Sequence, residues 1–282
     1  HLPKREHPIM LRLTMLSSLL LMAGCAAQFP EPIGSKNPAA AEDVLEKSIA
    51  AHGGYLFEQA GSVRVSYDGE WRNVVKVLQP VLVDAGYRQT SDEMLDLTTA
   101  GIVQVHNGPD GTKLVARTGD DVAVLYDDVE SNDETTRAAS ALVADAYTLF
   151  LAGPSFIRQR NAELSMLDPA TLDGDSYQRI HAVLKPGFGF SERDEAVLWI
   201  NEETGLLGLV HFTIDGLAST RGAHVDVAFS KHTEIDGFIW PTEFYERVRA
   251  PLRVPAHSWR VVELEVSPDG VDEYLAKADS GD

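Results

Sequence analysis

The sequence predicts an α+β fold built on an antiparallel β-sheet, and three observations carry that expectation. Apolar and polar residues alternate with period two in many short runs, most clearly over residues 177–184, 196–201, 206–214, 223–229 and 242–248, the pattern of strands with one buried face. Turn residues divide those runs at short intervals, among them Asn107-Gly108-Pro109-Asp110-Gly111, Glu202-Glu203-Thr204-Gly205, Asp215-Gly216 and Asp236-Gly237, which favours a meander over parallel crossovers. Helical periodicity with a start and a stop signal is clearest in two places, after Asn37 and after Asp133.

In chain order, residues 1–24 read as a leader. Lys4, Arg5 and Arg12 come before or at the start of a hydrophobic run from Leu13 to Met22, the layout of a secretory signal. A run that short does not cross a bilayer, whose ~30 Å core needs ~20 helical residues. Met22-Ala23-Gly24-Cys25 resembles a bacterial lipobox, in which the cysteine is lipidated and everything before it is removed. That resemblance implies a mature chain beginning at Cys25, the sole cysteine, and anchored to a membrane through it. A lipobox cysteine carries three acyl chains; each buried CH₂ contributes ~0.8 kcal/mol, and two or more chains anchor stably. Ala26 and Ala27, in place of Asp, imply the outer membrane and a periplasm-facing protein. His1 in place of Met points to a fragment or an over-extended reading frame, with Met10 a plausible start.

The chain carries 24 basic and 43 acidic residues, a net charge of −19. Loss of the leader would remove Lys4, Arg5, Arg12 and Glu6 and leave it more acidic still. Such a field repels phosphate backbones, so nucleic acid is excluded as a partner. With a single cysteine no intramolecular disulfide can form, and stability must come from packing.

Residues 25–38 contain three prolines and no periodicity, and read as a tether. The folded domain is expected over 39–266. It opens with a helix capped by Asn37, with Pro38 at its first position and Gly53-Gly54 as its stop. Strands follow at Val63, Val65 and Tyr67, then over 87–97, 102–106, 113–117 and 122–126; Val74 to Leu78 is ambiguous between strand and helix. A second helix over 135–151 is capped near Asp133 and stopped by Gly153-Pro154. Its C-terminal part is apolar on more than one side, the signature of a helix buried between layers or lying across a cavity mouth. A further strand over 259–266 precedes an acidic tail, 267–282.

Leu198-Trp199-Ile200-Asn201-Glu202-Glu203-Thr204-Gly205-Leu206, then Val227-Ala228-Phe229 and Ile235-Asp236-Gly237-Phe238-Ile239-Trp240-Pro241-Thr242, together with the tethered helix and the meander, resemble the lipoprotein-localisation superfamily, the LolA/LolB-type half-barrel. The resemblance spans residues 38–266, with Asn201 where Asp is usual; residues 71–96 and the tail match no part of the pattern. It implies a curved antiparallel sheet with helices packed on its concave side, enclosing an apolar cavity for acyl chains. Leu142, Tyr147, Phe150, Trp199, Phe212 and Phe229 are the expected ligand-binding residues, with the helix bearing Tyr147 and Phe150 as a lid, although for any one aromatic among them packing in a filled core is the better reading.

Motifs for chemistry fall short of their requirements. His224 and Asp226 share a strand face and could be joined by His211 and His232, but metal-ligand spacing is missing, and an exposed polar face is the better reading. Gly153-Pro154-Ser155-Phe156-Ile157 lacks the second glycine and the strand-turn-helix context of a nucleophile elbow. Asn107 to Lys113 lacks Walker spacing, and Gly187-Phe188-Gly189 lacks the third glycine of a dinucleotide loop. The carboxylate pairs Asp92/Glu93, Asp120/Asp121 and Asp127/Asp128 lie beside turns and read as solvated. No cofactor is implied. The expectation is a non-enzymatic envelope lipoprotein that binds lipid or the acyl chains of another lipoprotein; the alternatives are an assembly protein acting through its surface and, third, a hydrolase, which would need a buried His-carboxylate pair facing a cleft.

Overall fold

The computed structural model describes residues 28–32 and 37–267. Cys25, the leader and the acidic tail beyond Ser267 lie outside the described residues.

Helix α1, Pro38–Ala51, starts as its residues dictate: Asn37 Oδ1 accepts from the Ala40 amide at 3.4 Å and Pro38 occupies the first turn. Gly53 ends it at φ 105°, and a Cβ there would lie 2.4 Å from the Gly237 carbonyl oxygen, so conformation and space both require glycine. After the short helix α2 (Leu56–Gln59) the chain enters β1 (Ser62–Trp71), then α3 (Asn73–Leu78) and α4 (Pro80–Val83). Strands β2 (Thr90–Asp96), β3 (Gly101–Gly108), β4 (Gly111–Thr118), β5 (Asp121–Tyr126) and β6 (Val129–Glu130) form the first meander. Helices α5 (Glu134–Ala152) and α6 (Pro154–Gln159) follow, then β7 (Glu163–Leu172), β8 (Asp175–Leu184), β9 (Asp194–Asn201), β10 (Leu207–Thr213) and β11 (His224–Ser230). The hairpin β12 (Thr233–Ile235) and β13 (Phe238–Trp240) precedes β14 (Glu243–Ala250) and β15 (Val254–Ser267).

Thirteen strands make one antiparallel sheet in the order β6-β5-β4-β3-β2-β1-β15-β14-β11-β10-β9-β8-β7, open at β6 and β7. It is the expected half-barrel. The last strand joins the first at the centre, Val63 opposite Val266 and Trp71 opposite His257, so the two meanders meet through residues nearly 200 positions apart.

Helix α5 occupies the concave side. Asp133 caps it, its carboxylate accepting from the Thr136 amide at 2.7 Å, and all residues from Ala139 to Ala152 are buried. Phe150 meets Phe212 of β10 at 5.7 Å between ring centres, and Tyr147 stacks on Trp259 of β15 at 5.7 Å. Asp145, buried in the middle of the helix, receives Arg117 of β4 at 3.3 Å and the Gly189 amide at 2.7 Å, locking α5 to the sheet and to the loop after β8.

Two local expectations change, the strand start at Tyr87 and the lid role of the second helix, while Val74 to Leu78, ambiguous in sequence, and residues 163–172, given no element there, take definite form. Val74 to Leu78 is helical, and its valines pack inward only at Val75. The strand expected from Tyr87 begins at Thr90, because residues 84–88 form a turn in which the Tyr87 and Arg88 amides donate to the Asp84 carbonyl. Strand β7 carries no clear alternation because Pro169 breaks its register between Leu167 and Ala170; a proline is tolerated there because β7 is the sheet edge. Helix α5, expected as a lid, is instead an inner wall, because a helix buried along fourteen consecutive residues cannot swing out without exposing the core.

Candidate functional site

Between α5 and the concave face lies a cavity of about 280 Å³. Leu142, Val143, Ala146, Tyr147 and Phe150 of α5 form one wall, and Phe212, Val225, Val248 and Ala256 form the other. The mouth is framed by Val75, Leu78, Gln79 and Leu82 of the α3–α4 segment, facing Ser219, Thr220 and Arg221 of the β10–β11 loop. Gln79 Nε2 donates to the Ser219 carbonyl at 3.0 Å across this mouth. Thr220 Oγ donates to the Ile214 carbonyl and holds the loop in place. Outside the mouth, Val74, Val77, Leu78 and Val81 are 41–79% exposed, an apolar patch at the entrance.

The two ends of the cavity differ. At the mouth Ser219 and Arg221 are exposed and Gln79 is half-buried, whereas at the deep end Arg88 is 5% exposed and Tyr147, Phe150 and Phe212 are buried. An aromatic ladder runs beneath that end, with Trp71 stacked on His257 at 3.8 Å, His257 on Trp259 at 4.6 Å and Trp259 on Phe244 at 4.9 Å. Gly69 makes room for it: a Cβ there would lie 2.7 Å from the Trp259 Cβ and 2.8 Å from His257 Nε2.

Arg88 is held over the ladder. Its Nη1 donates to the Leu82 carbonyl at 2.8 Å, and its guanidinium lies 5.1 Å from the Trp71 ring centre and 5.6 Å from that of Tyr147, distances at which a cation is attracted to a ring face. Among the described residues its Nε has no hydrogen-bond partner. Glu246 of β14 also lines the cavity. Burial raises its carboxyl to about 7 against the pull of Arg88, and burial does the same for Glu93 of β2 behind it, whose carboxylate receives Ser91 Oγ at 2.7 Å. His106 and His257 are held neutral well below their ordinary range by burial, with Arg88 adding to it. The arrangement is an apolar tube with a cationic, proton-holding end.

Of the residues expected to bind ligand, Leu142, Tyr147, Phe150 and Phe212 come together around this cavity. Phe229 is buried behind Phe150 at 6.3 Å and packs on Phe244. Trp199 points to the opposite face, because its strand neighbours Leu198 and Ile200 take the inner one; the Arg179 guanidinium lies 5.1 Å from its ring. Trp71, Arg88 and Glu246 were not singled out from sequence. The first two fall within residues 71–96, where no motif pointed to them, and Glu246 lies in an ordinary alternating strand.

The face of β8–β11 expected to be exposed and polar is the convex one, yet His211, His224 and Asp226 on it are buried. His224 Nδ1 and His211 Nε2 are 2.7 Å apart, while Asp226 is taken by Arg247 and Arg249 at 2.7 Å each. His232 lies elsewhere, against His52. Among the described residues no group of three or more His, Cys, Asp or Glu is placed to hold a metal ion. His181, buried, and Glu195, half-buried, form a His-carboxylate pair on this face, away from the cavity, and Phe29 covers the histidine together with His211 and His224.

No family model matches the sequence, and no curated protein matches it. Solved structures do resemble the fold. A LolA superfamily protein from Nitrosomonas europaea aligns with a TM-score of 0.54 at 12% identity over 87% of this chain and 100% of its own. A DUF1329 family protein from Desulfovibrio piger aligns with a TM-score of 0.56 at 13% identity over 87% of this chain and 99% of its own. The chain therefore has the LolA/LolB-type fold.

Proposed function

We propose that this protein is an envelope lipoprotein that holds a hydrophobic ligand, a lipid or the acyl chain of another lipoprotein, in the cavity between α5 and the sheet, and that it carries out no reaction on it. The observation that carries the reading is the apolar cavity of about 280 Å³ lined by Leu142, Tyr147, Phe150 and Phe212. Its size falls just under the ~300–1,000 Å³ usual for ligand pockets and suits one chain rather than several. Each CH₂ moved from a membrane into such a site exchanges one apolar setting for another, since burial from water contributes a similar ~0.8 kcal/mol in both. Transfer is then nearly isoenergetic, and its direction follows relative affinity. The lipobox supports anchoring through a lipidated Cys25, with the domain facing the periplasm from the outer membrane. The apolar patch of Val74, Val77, Leu78 and Val81 beside the mouth suits chain entry there.

Native mass spectrometry of the Cys25→Ser protein, purified without detergent, tests the reading. A co-purifying lipid, or stoichiometric uptake of an added acyl chain, is expected. A protein that stays empty and refuses acyl probes would instead favour the assembly role, in which the exposed valines contact a partner.

A further inference from the structure

Among the described residues three cationic side chains, Arg88, Lys113 and Arg117, are buried on or beside the concave face, and two of them have anionic partners. Lys113 is 2% exposed and reaches Asp84 at 2.7 Å; Arg117 is 6% exposed and reaches Asp145 at 3.3 Å. Arg88 is 5% exposed, and among the described residues it forms no salt bridge: its partners are the neutral Leu82 carbonyl and Tyr147 side chain, and its Nε has none. Arginine is almost never buried this far without an anionic partner, because an uncompensated charge in the interior is costly. Arg88 differs from the other two in one further respect: it lines the cavity.

From this geometry we infer that Arg88 is the receptor for a carboxylate, and that the ligand is an unesterified long-chain carboxylic acid inserted head first, its chain running along the apolar walls toward the mouth. The inference rests on the ligand-holding reading above and names the class of ligand. A guanidinium offers a planar fork of donors that matches a carboxylate, and stacking over Trp71 and Tyr147 fixes the plane of that fork before the ligand arrives.

Charge and size select against other heads. Glu246 and Glu93 flank Arg88, and each feels it electrostatically; where they ionise, above about 7, they repel a dianionic phosphate more than a singly charged carboxylate. The deep end is bordered by the aromatic ladder and the buried residues of α5, and a cavity of about 280 Å³ suits one chain better than the two of a diacylglycerol head. Glu246 is pushed by burial to about 7, so below neutrality it keeps its proton and can donate a hydrogen bond to the incoming carboxylate, which retains its charge for Arg88. Groups facing this pair are Glu93 on β2, His106 on β3, Lys113 on β4, Tyr147 on α5 and His257 on β15, with Asp226 on the far face of β11 acting through the sheet. Of these, the two histidines are held neutral and Lys113 is paired with Asp84, which leaves Arg88 as the free cation among them.

Titration of the full-length Cys25→Ser protein with palmitate, hexadecan-1-ol and methyl palmitate, followed by native mass spectrometry and calorimetry at pH 6.5, tests the assignment. Palmitate is expected to bind at least tenfold more tightly than the alcohol or the ester. Arg88→Met should remove that preference and still bind hexadecan-1-ol, whereas Arg88→Lys should keep part of it. Equal binding of all three by the unaltered pocket, or an undiminished preference in Arg88→Met, would overturn the assignment of Arg88 while leaving the ligand-holding reading intact. Failure of all three to bind would overturn both. If Arg88→Met does not fold, the threefold comparison on the unaltered pocket decides alone.

Discussion

The Arg88 guanidinium lies 5.1 Å from the centre of the Trp71 ring, which is itself stacked on His257, so a charged side chain is stored in the interior on an aromatic surface. Arg117, equally buried, is stored against Asp145. The two arginines should therefore respond differently to the same substitution. Arg117→Met strands Asp145 in the core and is expected to cost ~3–5 kcal/mol, the range for breaking a buried pair. Arg88→Met strands no ion-paired carboxylate and puts an apolar chain of comparable length on Trp71; its stability should stay within about 1 kcal/mol of the parent. Urea unfolding of the two variants side by side checks the contrast, and a loss for Arg88→Met as large as that for Arg117→Met would mean that Arg88 is structural.

The raised carboxyl of Glu246 has a consequence for stability against pH. Its value rises from 4.5 unfolded to about 7 folded, so the native state holds a proton that the unfolded state has released. That contribution is fully present below 4.5 and is lost as pH climbs through about 7. Buried His52 and His211, lowered to about 4 and about 3 by burial, act in the opposite sense at lower pH, where the unfolded state takes up protons first. Comparing a variant with its parent cancels the histidines. Glu246→Gln should be more stable relative to the parent at pH 8.5 than at pH 5, by on the order of 1–2 kcal/mol after allowing for the cavity's own access to water. Chemical unfolding at both pH values checks this, and an unchanged difference would place the Glu246 carboxyl in its ordinary range.

Much of the architecture could be read from residue pattern alone. Asn37-Pro38 and Asp133 mark true helix starts, Gly53 and Gly153 true ends, and the alternating runs from 177 onward are strands. What escaped reading had physical causes. Pro169 hid an edge strand; Val74-Val75-Lys76-Val77-Leu78 has a β-like composition yet folds as the helix that borders the cavity mouth. The pairing of β1 with β15 joins opposite ends of the chain, so no local signal marks it. The cavity was legible only in part: α5 announced Leu142, Tyr147 and Phe150 by its excess of apolar positions, while Trp199 could not be told from an inner residue because its strand is apolar on both faces. Arg88 looks like any arginine in a polar stretch, and only the fold buries it.

At the mouth, Gln79 Nε2 and the Ser219 carbonyl make an exposed hydrogen bond between segments 140 residues apart. A net contribution of ~0.5–1.5 kcal/mol is usual for such a bond. Gln79→Ala should therefore leave affinity for an acyl probe nearly unchanged and speed both entry and release, by about two- to tenfold on the same scale. Stopped-flow exchange of a fluorescent fatty acid measures the rates; rates that match the parent would show that this contact does not gate the cavity.

The anchor is tested separately from the cavity. Cys25 is the expected lipidation site, and three acyl chains would hold the protein on membranes through washing, since two already anchor stably. Cys25→Ser should move the protein from the membrane to the soluble fraction on cell fractionation, with ligand uptake by the folded domain unaffected. Retention of the serine variant on washed membranes would point to another means of attachment, for which the exposed Val74, Val77, Leu78 and Val81 are the nearest apolar surface.

Filling the cavity separates a ligand site from a packing defect. Ala146 is 6% exposed and lines the cavity from α5, opposite Val225 and Val248. Where space is already empty, a larger apolar side chain gains contacts instead of the ~1–3 kcal/mol penalty of overpacking. Ala146→Leu should therefore keep the stability of the ligand-free protein within about 1 kcal/mol of the parent, while acyl-chain binding weakens at least tenfold because the added side chain occupies the path of the chain. Thermal unfolding of the ligand-free protein and calorimetric titration with palmitate measure the two quantities. A variant that is destabilised by overpacking, yet binds palmitate as before, would place the ligand elsewhere on the molecule.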